Sequence, residues 1–121
     1  DLVNIARIDQ VIHRWGDKFL RRTFTPREIA YCAAKTFPRQ HYAARFAAKE
    51  AVFKALGTGW NHEVGWLDVE VSINPNSGQP SIVLADTCLK ILGEPFSLRV
   101  LISLSHDKEY AIAQAVILKT S

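Results

Sequence analysis

Between residues 4 and 22, apolar side chains recur at steps of three and four: Ile5, Ile8, Val11, Ile12, Trp15, Phe19 and Leu20. That spacing predicts one amphipathic helix, with Gly16 the weak point in its middle. Thr25-Pro26-Arg27-Glu28 combines a capping hydroxyl, a proline suited to the first helical position and a Glu three residues after the cap. It predicts a helix start, with the helix running to about Ala34 before Phe37-Pro38 breaks the pattern. Residues 41–56 are rich in Ala and carry Phe46, Val52, Phe53 and Leu56. They predict the longest helix, ended by Gly57 in a left-handed conformation. Gly57-Thr58-Gly59 reads as a flexible turn.

From residue 66 the period changes to two. Leu67, Val69, Val71 and Ile73 fall on one face of a strand over 66–73. The run Asn74-Pro75-Asn76-Ser77-Gly78 is turn chemistry, and Ser81–Leu84 is the short return strand. A short helix is expected over 85–92, stopped by Gly93. Ser97–Ser105 and Tyr110–Leu118 read as a second hairpin, turning at Ser105-His106-Asp107-Lys108, and Asp1–Val3 as the end of a further strand. The fold class expected is α+β: a small antiparallel sheet with helices packed on it, in a single domain spanning 1–121.

Composition narrows the function. Of 121 residues, 48% are hydrophobic and 22% charged, which is globular and argues against disorder. No apolar run approaches the ~18 residues of a membrane-spanning helix, so no membrane association is expected. Asp1-Leu2-Val3-Asn4 lacks the basic start and apolar core of a signal peptide. A net charge of +3 suits an anionic partner without naming it. Cys32 and Cys88 lie far apart with no ligand-type spacing, so two free thiols in a cytoplasmic protein are expected. Arg7, Arg14 and Arg21 fall at steps of seven, extended by Lys18 and Arg22. On spacing alone this is a solvated basic face; the functional alternative is a docking surface for something acidic.

Glu50 and Lys54 sit four apart on the longest helix, about 6 Å along its axis. The simple reading is an exposed ion pair contributing ~0.2–0.5 kcal/mol. Their setting favours more. Ala47, Ala48, Ala51 and Ala55 leave room for close approach, Arg45 and Lys49 add positive charge, and Gly57-Thr58-Gly59 supplies backbone amides. Carboxylate, cations and amides together suit a metal–phosphate site, although amides at a helix C-terminus gain nothing from the dipole.

The run from Arg45 to Gly59, Arg-Phe-Ala-Ala-Lys-Glu-Ala-Val-Phe-Lys-Ala-Leu-Gly-Thr-Gly, closely resembles the signature of the holo-(acyl carrier protein) synthases, the small bacterial 4′-phosphopantetheinyl transferases. Asp1-Leu2-Val3-Asn4-Ile5-Ala6-Arg7-Ile8, Trp66–Val71, Gly78-Gln79-Pro80 and Ser103-Leu104-Ser105-His106 resemble the family's other motifs in the same order. Family members carry a short Gly-apolar-Gly strand ahead of the Asp, and this sequence starts at the Asp.

The resemblance implies a 4′-phosphopantetheinyl transferase-like fold and transfer of the phosphopantetheine arm of coenzyme A to a serine of apo acyl carrier protein. Adenosine 3′,5′-bisphosphate is the other product. By the same resemblance Asp1 and Glu50 hold Mg²⁺ (or Mn²⁺). Glu50 and Lys54 carry catalysis, the proton acceptor being either Glu50 or a water on the metal. Arg45, Lys54, Gly57, Thr58, Gly59 and His106 line the coenzyme A site. Arg7, Arg14 and Arg21 dock the acidic carrier. The family implies a homotrimer with active sites between subunits; no nucleic-acid partner is expected. Two alternatives of other kinds stand beside this: a catalytically silent acyl-carrier or nucleic-acid binding module on the same fold, and a transferase serving a polyketide or multidomain synthase.

Overall fold

The computed structural model of the chain describes residues 1–57, 64–92 and 97–120. Strand β1 (Leu2–Asn4) leads directly into helix α1 (Ile5–Trp15), whose first turn is capped by the Asn4 side chain accepting from the Arg7 amide at 3.0 Å. The single helix expected over 4–22 is two. Gly16, at φ 56°, ends α1 and starts α2 (Asp17–Thr23). A side chain at that φ is strained, so glycine marks the break.

Helix α3 (Pro26–Ala33) starts as its sequence dictates. The Glu28 amide donates to Thr25 Oγ1 at 3.3 Å, and the Thr25 amide donates to Glu28 Oε1 at 2.8 Å. Phe37-Pro38 does not merely interrupt the pattern. Pro38 is the first residue of α4 (Pro38–Leu56), three residues ahead of the expected start at 41. A proline there lacks only an N–H that has no helical partner anyway. Gly57 closes α4 in the left-handed region, at φ 77° and ψ 0°.

A 3₁₀ turn (Trp66–Asp68) precedes strand β2 (Val69–Ile73), which pairs antiparallel with β3 (Pro80–Leu84). The strand expected from residue 66 therefore begins at Val69. Leu67 lies in the turn, 49% exposed, and does not share the buried face of Val69 and Val71. Helix α5 (Asp86–Leu92) follows; the expected stop at Gly93 lies outside the described residues. Strands β4 (Ser97–His106) and β5 (Tyr110–Thr120) form the second hairpin. Two antiparallel sheets result where one was expected: β1-β5-β4 and β2-β3.

Helix α4 runs across the core and packs chiefly on β5. Ala43, Ala44, Ala47, Ala48 and Ala51 are buried in the same cluster as Ala111 and Ala113 of β5. Small side chains on both surfaces let the helix axis approach the sheet closely. A second cluster around Val52, Phe53, Val64, Val69 and Cys88 joins the C-terminal half of α4 to β2 and α5. Among the described residues no helix is long and apolar enough to cross a membrane.

Candidate active site at the first strand and the central helix

Asp1, just ahead of β1, meets the C-terminal half of α4. The Ala113 amide donates to the Asp1 carbonyl at 2.8 Å, and the Asp1 nitrogen donates back to the Ala113 carbonyl at 2.5 Å. This pairing fixes Asp1 beside the α4 face that covers β5. The Lys54 ammonium donates to Asp1 Oδ1 at 2.5 Å. Asp1, Ala51, Lys54, Ala55 and Ala113 line an open hollow of about 480 Å³. Glu50 is half-buried one helical turn before Lys54 and makes no hydrogen bond or ion pair among the described residues. The first strand and the central helix thus bring Asp1 and Lys54 into contact, with Glu50 on the adjacent turn.

Other expected residues lie elsewhere. Arg45 is 2% exposed. Its guanidinium sits 4.1 Å from the Tyr31 ring centroid and donates to the His41 carbonyl at 3.3 Å. Its Nε has no hydrogen-bond partner among the described residues. His106, at the end of β4, meets the His41 ring edge-on at 5.4 Å, and Arg45, His41 and His106 share a smaller hollow of about 180 Å³. Burial, then the charges of Arg45, His106 and Lys35, hold His41 below the ordinary histidine range. Arg45 and His106 are therefore together, but in a hollow that shares no residue with the one beside Asp1 and Lys54. The Gly57 amide is engaged, donating to the Lys54 carbonyl at 3.1 Å. Thr58 and Gly59 lie outside the described residues.

Lys49 departs most from its sequence reading. It adds no charge to the Glu50 surface, because its side chain is wholly buried. Its ammonium donates to Glu28 Oε1 at 2.7 Å and to the carbonyls of Trp66 and Val69 at 2.8 Å each. Burial pulls its pKa below the usual lysine value, and the Glu28 carboxylate offsets part of that. Ala47 and Ala48 likewise face the core and not an incoming ligand, whereas Ala51 packs in the core and also borders the hollow beside Asp1.

Arg7, Arg14 and Arg21 are all exposed. The break at Gly16 puts Arg21 on α2, so the spacing of seven does not describe one continuous helical stripe. Between α1, α2 and the 3₁₀ turn lies a larger hollow, about 710 Å³, lined by Val11, Trp15, Phe19, Trp66 and Leu67 together with Lys18 and Arg22. Sequence reading missed it. Val11, Trp15 and Phe19 fall on the apolar face of the predicted helix and Leu67 on the predicted strand face, so the sequence pattern alone does not show that Trp15 and Leu67 are exposed.

Residues 1–115 match the family model described as the 4′-phosphopantetheinyl transferase superfamily. The chain belongs to this superfamily. This phosphopantetheinyl transferase is 43% identical over 116 residues to a holo-(acyl-carrier-protein) synthase of Protochlamydia amoebophila, covering 96% of this chain and 92% of the relative. It is 44% identical over 118 residues to the synthase of Chlamydia felis, covering 98% and 93%. The fold of the transferase is similar to that of the Helicobacter pylori synthase solved in complex with coenzyme A, with a TM-score of 0.85, 36% identity, and 98% and 96% of the two chains covered. It is similar also to the Neisseria meningitidis synthase, with a TM-score of 0.87, 31% identity, and coverage of 98% and 94%.

Proposed function

We infer that the chain is a holo-(acyl-carrier-protein) synthase, acting as one transferase domain over residues 1–121. It transfers the 4′-phosphopantetheine arm of coenzyme A to a serine of apo acyl carrier protein. The serine oxygen forms a bond to the phosphorus that carries pantetheine, the bridging P–O bond breaks, and adenosine 3′,5′-bisphosphate leaves. The observation that carries this reading is the meeting of Asp1 and Lys54 at one hollow, with Glu50, which makes no hydrogen bond or ion pair among the described residues, one turn earlier on α4.

Asp1 and Glu50 are the oxygen donors this reading assigns to a magnesium ion. Asp1 and Glu50 offer only oxygen, and the described residues contain no cluster of three or more metal-binding side chains. Mg²⁺ ordinarily takes one or two carboxylates and leaves its other positions to phosphate and water. Asp1 and Glu50 would hold it; bound there, the cation would neutralise charge on the pyrophosphate oxygens. The chain's own part is distinct. Lys54 places a positive charge where the leaving phosphate develops negative charge. Glu50, which makes no hydrogen bond or ion pair among the described residues, or a water that it positions, accepts the serine proton. Asp1 holds Lys54 over the hollow.

The acidic carrier docks on Arg7 and Arg14 of α1 and Arg21 of α2, all exposed. The apolar hollow bounded by Lys18 and Arg22 accepts the side chains between the carrier's carboxylates. Arg45 and His106 serve coenzyme A from a neighbouring subunit, which accounts for their separation from Asp1 within one chain. The outer face of β1-β5-β4 supports a homotrimer: Leu2, Leu101, Ile112, Val116 and Leu118 are exposed there, an apolar patch of the kind that marks an interface. Cys32 and Cys88, both free and buried, accord with a cytoplasmic enzyme.

The test is a turnover assay with coenzyme A, apo acyl carrier protein and Mg²⁺. Holo carrier and adenosine 3′,5′-bisphosphate are expected to appear one for one. Binding of the carrier without either product would replace this reading with that of a silent binding module.

A further inference from the structure

Lys49 is a lysine with no outlet to solvent in a protein whose anionic substrates call for exposed cations. Each N–H of its ammonium is matched by an acceptor: Glu28 Oε1 and the carbonyls of Trp66 and Val69. The two carbonyls lie at the start of the 3₁₀ turn and just past its end, so one side chain of α4 grips the turn from both sides. Glu28 completes the joint. Its Oε1 also accepts from the Thr25 amide at 2.8 Å, and its Oε2 accepts from the Val71 amide at 2.8 Å. One buried ion pair therefore ties the start of α3, the middle of α4, the 3₁₀ turn and β2.

The rings repeat the same connection. Trp66 stacks on Phe46 at 4.9 Å and meets Phe53 edge-on at 5.0 Å. Those two rings flank Lys49 on α4, one turn before and one turn after. Trp66 and Leu67 are also a wall of the large apolar hollow. Glu50 follows Lys49 in the chain, and Lys54 is one turn further. The wall of the hollow and the reacting side chains are thus set against each other through the Lys49 ammonium and the rings on either side of it.

We propose that Lys49 is a positioning residue for the transfer, fixing the 3₁₀ wall of the apolar hollow relative to Glu50 and Lys54 so that a docked carrier presents its serine at the reacting phosphate. This rests on the synthase reading above. A general structural lysine would lose activity only as far as it loses folded protein. A positioning lysine separates the two, because small misplacements of bound reactants lower rates steeply.

Lys49→Met alone leaves Glu28 buried and uncompensated, which is strongly destabilising. Glu28→Gln combined with Lys49→Met removes both charges and is the informative variant. It is expected to recover part of the melting temperature lost in the single variant while kcat/KM for the carrier stays at least about tenfold below wild type. The Kd for coenzyme A, read by calorimetry on folded protein, is expected to stay within about twofold of wild type. Lys49→Arg keeps the charge and the pair but cannot fit the same three acceptors, and is expected to show the same split. Wild-type kcat/KM per folded molecule in the double variant, or a loss that follows the melting temperature in both variants, overturns the proposal. A wild-type protein that makes no holo carrier overturns the synthase reading itself, and this inference with it.

Discussion

Replacing Lys54 by Gln removes a charge whose two possible roles differ widely in size. The Lys54 side chain is 71% exposed and that of Asp1 12%, so their contact at 2.5 Å is an ion pair largely open to water. Pairs of this kind contribute at most about 1 kcal/mol to stability, because solvent screens them and long side chains lose freedom in forming them. For a domain of this size that corresponds to a melting shift of roughly 4 °C. A charge aimed at a leaving oxygen is worth far more, since it acts where negative charge develops. Removing one such donor lowers turnover by about 10²–10³-fold, or ~2.7–4 kcal/mol. Lys54→Gln should therefore melt within a few degrees of wild type and turn over at least about a hundredfold more slowly. Thermal melting gives the first quantity. Release of adenosine 3′,5′-bisphosphate at saturating coenzyme A and carrier gives the second. Turnover within about threefold of wild type, some 0.7 kcal/mol, would refute the role assigned to Lys54.

Arg14→Glu should raise KM for the carrier, leave KM for coenzyme A unchanged and flatten the salt dependence of carrier kinetics; an unaltered salt response removes Arg14 from the docking face. His41 is held below its ordinary pKa by burial and by Arg45, His106 and Lys35. Between its folded and unfolded pKa values the unfolded chain binds the extra proton, so stability rises with pH across that window and is lost as pH falls below about 6.5. His41→Phe should melt with a shallower acid dependence than wild type, and identical profiles would contradict this. Cys32, pushed up to about 12 chiefly by burial, and Cys88, also raised by burial, should resist a thiol reagent at neutral pH until the protein unfolds; rapid labelling of the native protein would contradict their burial.

The legible parts of the fold were those governed by near neighbours. The capping box of Thr25 and Glu28 and the left-handed Gly57 depend only on residues within a few positions, and both appear as read. Pro38 was legible as punctuation but not in sign, since proline both ends helices and starts them. Gly16 was visible as a weakness; whether a helix survives it depends on how Phe19 and Leu20 reach the core after the turn. At the site, helical spacing put Glu50 and Lys54 one turn apart but suggested only an ion pair, and their roles came from the family resemblance; the contact of Lys54 with Asp1 comes from β1 pairing with β5, a pairing made across the whole chain. Lys49 was misread for the same reason. Its acceptors, Glu28, Trp66 and Val69, lie distant in sequence on three other elements, and no local pattern distinguishes it from a solvated lysine.

The most direct measurement is an intact-mass spectrum of apo acyl carrier protein after incubation with coenzyme A, Mg²⁺ and either wild-type enzyme or Glu50→Gln at equal concentration. A carrier heavier by one phosphopantetheine arm with wild type, and essentially unmodified over the same time with Glu50→Gln, is the expected result. An unmodified carrier in both reactions, or equal conversion in both, would contradict the claim that the α4 carboxylate one turn before Lys54 takes part in the transfer.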